Sequence, residues 1–324
     1  MAGWSLQAHP RLRSDVFLSW FDWGTTSQFR VERVDARRRR VSGAVYSNGS
    51  LVLDSQRRSG LGGDLIENGD ESQLDVPEVL PRYHGEWLYG GHWMTQFGHF
   101  ITETLTGLWP PPQRFRGVVY HPFIFGKEIL PWQEFLLDRA GWAGRCVIVS
   151  EPAAFEKLAV PRRAFDLNGS VSTTAVEVWA RVAYKSELSD LIFLSRSRLS
   201  DNHRALADDV SLDDSIRDLG FEVVHPQELS IEDQLRTVAR SRLLVGTAGS
   251  ALHLSAFASK ATPVIEIGDR RSPMKPLANQ VAIDQAIGRA YAFVPLIAGE
   301  GGRDVSATTS ALAHLVATVP HSGP

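Results

Sequence analysis

The amino-acid sequence predicts an α/β protein of two doubly wound units side by side, and three observations carry that expectation. The second half alternates short apolar strands with longer helices. The first half holds the order strand, helix, strand. A glycine-bearing turn follows a strand late in the chain, where open parallel sheets receive their ligands.

In the first half, "GAVYSNGSLVLD" places Asn48-Gly49 between alternating apolar residues, which signals a hairpin. "EWLYGG" reads as a strand end, and "HFITETLTGLW" as a helix stopped by Pro110, Pro111 and Pro112. "GVVYHPFIF" is a strand, "WQEFLLDRAG" a helix ending at Gly141, and "CVIVS" a strand, which together suggest a parallel sheet covered by helices. A helical stretch near Thr173–Lys185 links the halves. The second half is plainer: "LIFLSR", "FEVVHP", "RLLVG" and "TPVIEIG" are strands. Between them lie helices "ADDVSLDDSIRDLG", "SIEDQLRTVARS" with a capping-box start at Ser230 and Asp233, and "SALHLSAFAS". "DVSATTSALAHLVATV" is a last helix. The expected division is residues 1–185, residues 186–300, and residues 301–324, the last a helix and tail that fold back across the domains.

Composition narrows the function classes. The chain of 324 residues is 43% hydrophobic and 22% charged, as in soluble globular proteins. A formal charge of -3 argues against a nucleic-acid partner. No run approaches the roughly 20 apolar residues of a membrane helix, and the N-terminus lacks a secretory signal's apolar core. Cys146 is the only cysteine, so no internal disulfide or zinc-binding cysteine cluster forms. These features predict a cytoplasmic protein. Peripheral contact with the inner membrane face stays compatible with them, through the Trp-rich first half or the apolar C-terminal helix. The run "DARRRR" (Asp35–Arg40) reads as a solvated edge. The oligomeric state is open.

Three constellations carry chemistry. In "SRSRLSDNHR", Arg196, Arg198 and Arg204 stand at or just past a strand end, where guanidinium forks match a diphosphate. The same arginines could instead pair with Asp201, Asp208 or Asp209. In "LVGTAGSALHLSAFA", Gly246, Thr247, Gly249, Ser250 and Ala251 turn a strand into a helix, and amides at a helix start attract anions. His253 follows on that helix, facing a phosphate or sugar, or packing. Glu266, twenty positions after Gly246, ends the next strand where ribose hydroxyls could be bound. The spacing is not that of a dinucleotide fingerprint. In "GGHWMTQFGHFITETLTGLW", His99 and Glu103 lie four apart on one helix face, either as a cleft-facing pair or as a buried tie. Neither a H-E-x-x-H nor a D-x-D pattern occurs, so no metal site is expected.

Read in order, "WLYGG", "GHFITETLTGLW", "IFLSRSR" with Arg204, "GFEVVHPQELSIEDQ", "VGTAGSALH" and "PVIEI" resemble glycosyltransferase family 61, in particular its bacterial capsular polysaccharide biosynthesis branch. The likeness covers roughly Tyr83 to Gly268. It implies a GT-B-like fold, two Rossmann-like domains facing a central cleft, and inverting, metal-independent transfer of a sugar from a nucleotide-sugar donor to a glycan or other hydroxyl acceptor. No bound cofactor is implied beyond the nucleotide-sugar co-substrate, expected to be UDP-linked. By the same likeness Arg196, the "GTAGSA" turn and Glu266 belong to the donor site, and Gln234 is structural. Where many relatives have histidine in the turn, Ala248 stands here. A donor contact is then absent or comes from elsewhere, His253 being the candidate.

An inverting transferase needs a base for the acceptor hydroxyl and positive charge or dipoles for the leaving diphosphate. His99 or Glu103 fits the first role, with Glu103 orienting the imidazole if His99 is the base. Arg196, Arg198 and the helix start at Ser250 fit the second. Two alternatives stay open: an inactive carbohydrate-binding or scaffold protein of the same fold, and an NAD-dependent dehydrogenase.

Overall fold

The computed structural model describes residues 4–5, 12–13, 16–33, 39–60, 64–65, 77–123, 126, 128–199, 209–299 and 302–319. The chain divides into two units: Arg11–Arg181, and Val182–Pro324 together with Met1–Pro10.

In the first unit, Asn48 and Gly49 adopt φ of 50° and 79°, the paired left-handed conformation that matches strand twist in a two-residue hairpin. They join β2 (Val45–Ser47) to β3 (Ser50–Leu51). With β1 (Leu18–Thr26), β4 (Arg82–His92), β5 (Gly117–His121), β6 (Cys146–Ile148) and β7 (Ala153–Pro161), these form one sheet of order β6-β5-β4-β7-β1-β2-β3. The expected parallel sheet is there in β4, β5, β6 and β7. It is extended by antiparallel β1, β2 and β3, and for β2 and β3 the tight hairpin between them dictates that direction. Tyr89, Val119, Phe155, Leu158 and Val160 fill the core of this unit, and the rings of Tyr83 and Phe155 stack at 4.7 Å. Trp93, Trp142 and Trp179 are fully buried, so part of the tryptophan content serves packing. The helices are α1 (Pro131–Arg139) and α2 (Thr174–Val182).

The second unit is the regular one. Its strands are β8 (Asp190–Leu194), β9 (Glu222–Val224), β10 (Ser241–Thr247), β11 (Val264–Ile267) and β12 (Tyr291–Val294). All five are parallel, in the order β9-β8-β10-β11-β12, and Trp4–Ser5 adds an antiparallel edge to β12. By chain sequence this is 2-1-3-4-5, a doubly wound sheet whose connections reverse direction between β8 and β10. Its helices are α3 (Asp209–Asp218), α4 (Ile231–Ala239), α5 (Ala278–Ile287) and α6 (Val305–Ala317). Ser230 caps α4 as expected: its hydroxyl accepts the Asp233 amide proton at 3.1 Å and donates to the Asp233 carboxylate at 2.6 Å. Leu312 and Leu315 of α6 join Phe193, Val245, Ile265 and Ile216 in the core of this unit. The helix expected after the glycine turn is a short 3-10 run, Leu252–Phe257, rather than an α-helix. Among the described residues, no helix is long and apolar enough to cross a membrane.

Candidate functional site

In the first unit "GHFITETLTGLW" folds as one helical segment in three windings. Phe97–His99 is an α-turn, Phe100–Thr104 a π-turn, and Thr106–Leu108 a 3-10 turn. The Leu105 amide reaches back five residues to the Phe100 carbonyl at 2.8 Å. Threonines and a tryptophan account for the loosened ladder. Thr102 donates to the Gly98 carbonyl at 2.9 Å, and Trp179 Nε1 donates to the Ile101 carbonyl at 3.1 Å. Thr104 Oγ1 donates to the His92 carbonyl and accepts from the Met94 amide, which ties the π-turn to the end of β4. Single π-turns inside helices concentrate at functional sites. Every residue from Phe100 to Leu108 is buried, so Glu103 sits in an apolar wall.

A carboxylate there needs a charged partner. Arg57 supplies it: Nε donates to Oε2 at 2.6 Å and Nη2 to Oε1 at 3.0 Å. His99 Nδ1 meets Oε1 at 2.5 Å. Burial opposes the charge on Glu103, but Arg57 and His99 outweigh it and hold the carboxyl at about 2. Glu103 is therefore ionised and can only accept. His99 Nδ1 must carry the proton of that hydrogen bond, which turns Nε2 away from Glu103. The His99 side chain is 34% exposed against 6% for Glu103, and Nε2 makes no hydrogen bond among the described residues. The geometry thus separates two groups that spacing alone left equivalent: a buried, spent carboxylate and an accessible imidazole nitrogen.

Beneath them lie His92 and His121, with ring centroids 5.9 Å apart. His121 Nε2–H donates to the Ser27 carbonyl at 2.9 Å and Nδ1 accepts from Tyr89 Oη at 2.8 Å. Burial pushes His121 down to about 4 and His92 well below its usual range, so both rings are neutral. In "YGGH" the second glycine makes room for Arg163: a Cβ on Gly91, whose φ is +90°, would collide with the guanidinium, while one on Gly90 would collide with the Tyr120 ring. Arg163 Nη1 donates to the Gly90 carbonyl at 3.2 Å.

In the second unit, "SRSR" leaves β8 with alternate side chains sent to opposite sides. Ser195 and Ser197 both donate to the buried Asp213 carboxylate of α3, at 2.7 Å each for their shortest bonds. That anchor turns Arg196 toward the ends of β10 and β11. Its Nη1 donates to the Ala248 carbonyl at 2.8 Å and lies 3.6 Å from Asp269 Oδ2. Gly249 has φ of +150°, and a Cβ on it would come within 2.6 Å of Arg196 Nη1. The amides of Gly249, Ser250 and Ala251 donate to no acceptor among the described residues. These amides follow β10 at the reversal point of the sheet, with Gly249 against the Arg196 guanidinium, groups whose chemistry suits an anion. Gly246 and Thr247 end β10 just below it.

The other residues singled out by sequence fall differently. Arg198 pairs at the surface with Glu228 at 2.9 Å. His253 is buried, and its Nδ1 meets Gln280 Oε1 at 2.9 Å in a network that continues to Ser255 and Asp284. Glu266 is 2% exposed, and both its oxygens lie 3.2 Å from the Leu277 amide at the start of α5. Burial, with Asp284 and Asp269 adding to it, raises its carboxyl to about 8. Gln234 donates to the Pro226 and Leu229 carbonyls and shapes a loop. Because Leu252–Phe257 is a short 3-10 run, the expected α-helix dipole at Ser250 reduces to local amides. Arg204 lies outside the described residues.

Sequence reasoning missed Arg57, since "QRRSG" gives no sign of which arginine turns inward. It also missed Asp213 and Asp269, which orient the arginine loop.

A family model described as Glycosyltransferase 61 matches residues 97–265, more than half of the chain. The match begins at the helical segment bearing His99 and Glu103 and closes inside β11, so it takes in the arginine loop and glycine turn as well. No curated protein matches the chain.

Proposed function

The chain belongs to glycosyltransferase family 61, and on that premise we propose that it transfers a sugar from a nucleotide donor to a hydroxyl acceptor with inversion and without a bound metal. The donor is UDP-linked in this proposal and the acceptor is a glycan of a surface polysaccharide. The work is done in the bacterial cytoplasm or at the inner membrane face, and the two units form a GT-B organisation. Acceptor binding is assigned to the first unit and nucleotide binding to the second.

His99 is the base. Its Nε2 takes the proton of the acceptor hydroxyl as that oxygen attacks the anomeric carbon. The bond from that carbon to the diphosphate oxygen breaks, and its electron pair leaves with the diphosphate. One displacement inverts the centre. Glu103 holds the Nδ1–H tautomer and stabilises the imidazolium that forms, as the buried acid of a hydrolase triad does. The charge gathering on the diphosphate is met by Arg196 and the amides of Gly249, Ser250 and Ala251. Thr247 and Gly246 shape the floor, and Arg198 and Arg204 flank the entrance. Glu266, carrying a proton near neutrality, offers an O–H donor to the ribose. His253 acts behind the turn as packing.

The observation that carries the proposal is the ordered set Arg57, Glu103 and His99, which leaves one accessible basic nitrogen. A thermal-shift screen against UDP, GDP, CMP, dTDP, NAD and NADP tests it, because ligands that bind only the folded state raise the melting temperature. A rise with one nucleoside diphosphate that disappears in Arg196→Ala supports the transferase. A rise with NAD alone overturns it in favour of a dehydrogenase. Full turnover in His99→Ala removes His99 as base.

A further inference from the structure

Every residue of α5 from Gln280 to Ile287 is buried, although Gln280, Asp284 and Gln285 are polar. Taking a polar side chain out of water is unfavourable unless partners meet it. Gln280 has three. Its Oε1 meets His253 Nδ1 at 2.9 Å, and its Nε2 donates to Ser255 Oγ and to Asp284 Oδ2, each at 2.9 Å.

The direction of these bonds is set from the far end. Arg289 Nε lies 3.6 Å from Asp284 Oδ1, and both side chains are buried. Burial raises the Asp284 carboxyl to about 6, against the opposing pull of Arg289 and Gln280. It is therefore ionised at neutral pH and can only accept. The Gln280 amide must turn its NH2 toward it. Both of that group's protons are then engaged, on Asp284 and Ser255, and Oε1 is left to face His253. A carbonyl oxygen only accepts, so His253 Nδ1 carries the proton. The carboxylate sets the amide, and the amide sets the imidazole.

His253 and Ser255 both belong to the 3-10 run Leu252–Phe257 that leaves the glycine turn. In that run the amides of Leu252, His253 and Leu254 donate to the carbonyls of Gly249, Ser250 and Ala251 at 3.1, 3.2 and 3.2 Å. Across a trans peptide the carbonyl and the next N–H point in opposite directions. Holding the Gly249 and Ser250 carbonyls on the run therefore aims the Ser250 and Ala251 amides away from it. A short 3-10 run has weak hydrogen-bond geometry of its own, so a second support matters. Helix α5 is that support. It is itself fixed on β11, where the Leu277 amide lies 3.2 Å from both Glu266 oxygens.

We propose that Gln280 is a positioning residue of the donor site: through His253 and Ser255 it holds the turn Gly249–Ala251 in the conformation that receives the diphosphate beside Arg196. This rests on the assignment of nucleotide binding to that turn, and adds a side chain buried behind the groups that touch the ligand.

Titration calorimetry of the full-length protein with UDP, GDP, dTDP and CMP tests this, beside long-range proton–nitrogen NMR spectra of the His253 ring. The nucleotide that wild type binds should bind about tenfold more weakly to Gln280→Leu, which keeps the bulk and removes both ends of the amide. Gln285→Leu is the control. Its amide is buried on the same helix and makes no hydrogen bond among the described residues, so affinity should match wild type. His253→Asn puts an N–H where Nδ1 stands and should bind within about twofold of wild type, whereas His253→Leu should fall with Gln280→Leu. The His253 ring should carry its proton on Nδ1 in wild type and show mixed tautomers in Gln280→Leu. If Gln280→Leu does not fold, the two His253 variants decide. The inference is overturned if folded Gln280→Leu keeps wild-type affinity, if His253→Asn is as weak as His253→Leu, or if wild-type His253 is protonated on Nε2. Any of these results with nucleotide binding intact leaves the donor assignment standing. Wild type that binds none of these nucleotides overturns the donor assignment, and this inference with it.

Discussion

The Arg57 guanidinium grips the Glu103 carboxylate through two hydrogen bonds, Nε to Oε2 at 2.6 Å and Nη2 to Oε1 at 3.0 Å, across forty-six residues of sequence. Glu103 lies buried in a helical segment where no other residue from Phe100 to Leu108 carries a charge, so this contact is what allows it to be charged there. The accessible His99 inherits its orientation from that charge.

Removing the cation strands the anion. Arg57→Ala should cost about 3–5 kcal/mol of unfolding free energy, the range for breaking one side of a buried ion pair. Arg57→Lys should recover only part, because an ammonium cannot match the two-pronged fork. Urea denaturation measures both; a loss in Arg57→Ala below about 1 kcal/mol would mean that Glu103 does not depend on it.

Acid should unfold the protein partly through Glu103. Its folded carboxyl stands at about 2 against 4.5 for the free group, so the folded state holds fewer protons between those values. The stabilisation is complete above pH 4.5 and disappears as pH falls toward 2. It amounts to about 3 kcal/mol at neutral pH. Stability measured from pH 7 to 3 should show a shallower acid limb in Glu103→Gln than in wild type.

His99→Ala should lower transfer about 10²–10⁴-fold, the usual contribution of a general base. Its side chain is part exposed, so the variant should melt near the wild-type temperature and still bind nucleotide. Steady-state kinetics beside a melting curve separates loss of the base from loss of the fold.

Gly249→Ala should act on the donor side. The new methyl meets the Arg196 guanidinium and an unfavourable φ of +150°. Nucleotide-induced stabilisation should shrink as it does in Arg196→Ala. Retention of the full thermal shift in both variants would place the diphosphate elsewhere.

Alkali should weaken the protein through Glu266, in the opposite sense to Glu103. Its folded carboxyl stands at about 8, so the folded state keeps a proton that the unfolded chain gives up near 4.5. The contribution is full below pH 4.5 and is lost as pH climbs to about 8. Glu266→Gln keeps an acceptor for the Leu277 amide without the charge. It should equal or exceed wild type in stability at pH 9, and a lower stability there would count against a protonated Glu266.

Local signals were legible and distant pairings were not. Asn48-Gly49 and Ser230 with Asp233 announced a hairpin and a helix cap because those structures are closed by residues within about one helical turn of one another in sequence. His99 and Glu103 were readable as a pair for the same reason. Strand β7, at the middle of the first sheet, went unseen because both faces of its ends are covered, so "AAFEKLAVP" lacks the alternation of a half-exposed strand. The antiparallel partner β1 was missed with it. Arg57 and Arg58 are indistinguishable as letters, and only the packed sheet decides which one meets Glu103. His253 stood on a helix whose exposed face could not be assigned until α5 was seen to cover it.

The π-turn at Phe100–Thr104 has a consequence of register. A wide turn accommodates one more residue than an α-turn between the same two ends. Deleting a single residue from Phe100–Thr104 would let the segment rewind as a plain α-helix between the same two ends, so what lies on either side of the turn would keep its place. The contacts made from inside the turn, Thr104 to His92 and Met94 and the Ile101 carbonyl to Trp179, would be the ones to change. A one-codon deletion here would spare the register of the rest of the segment, and homologous chains should be able to differ by one residue in length at this turn.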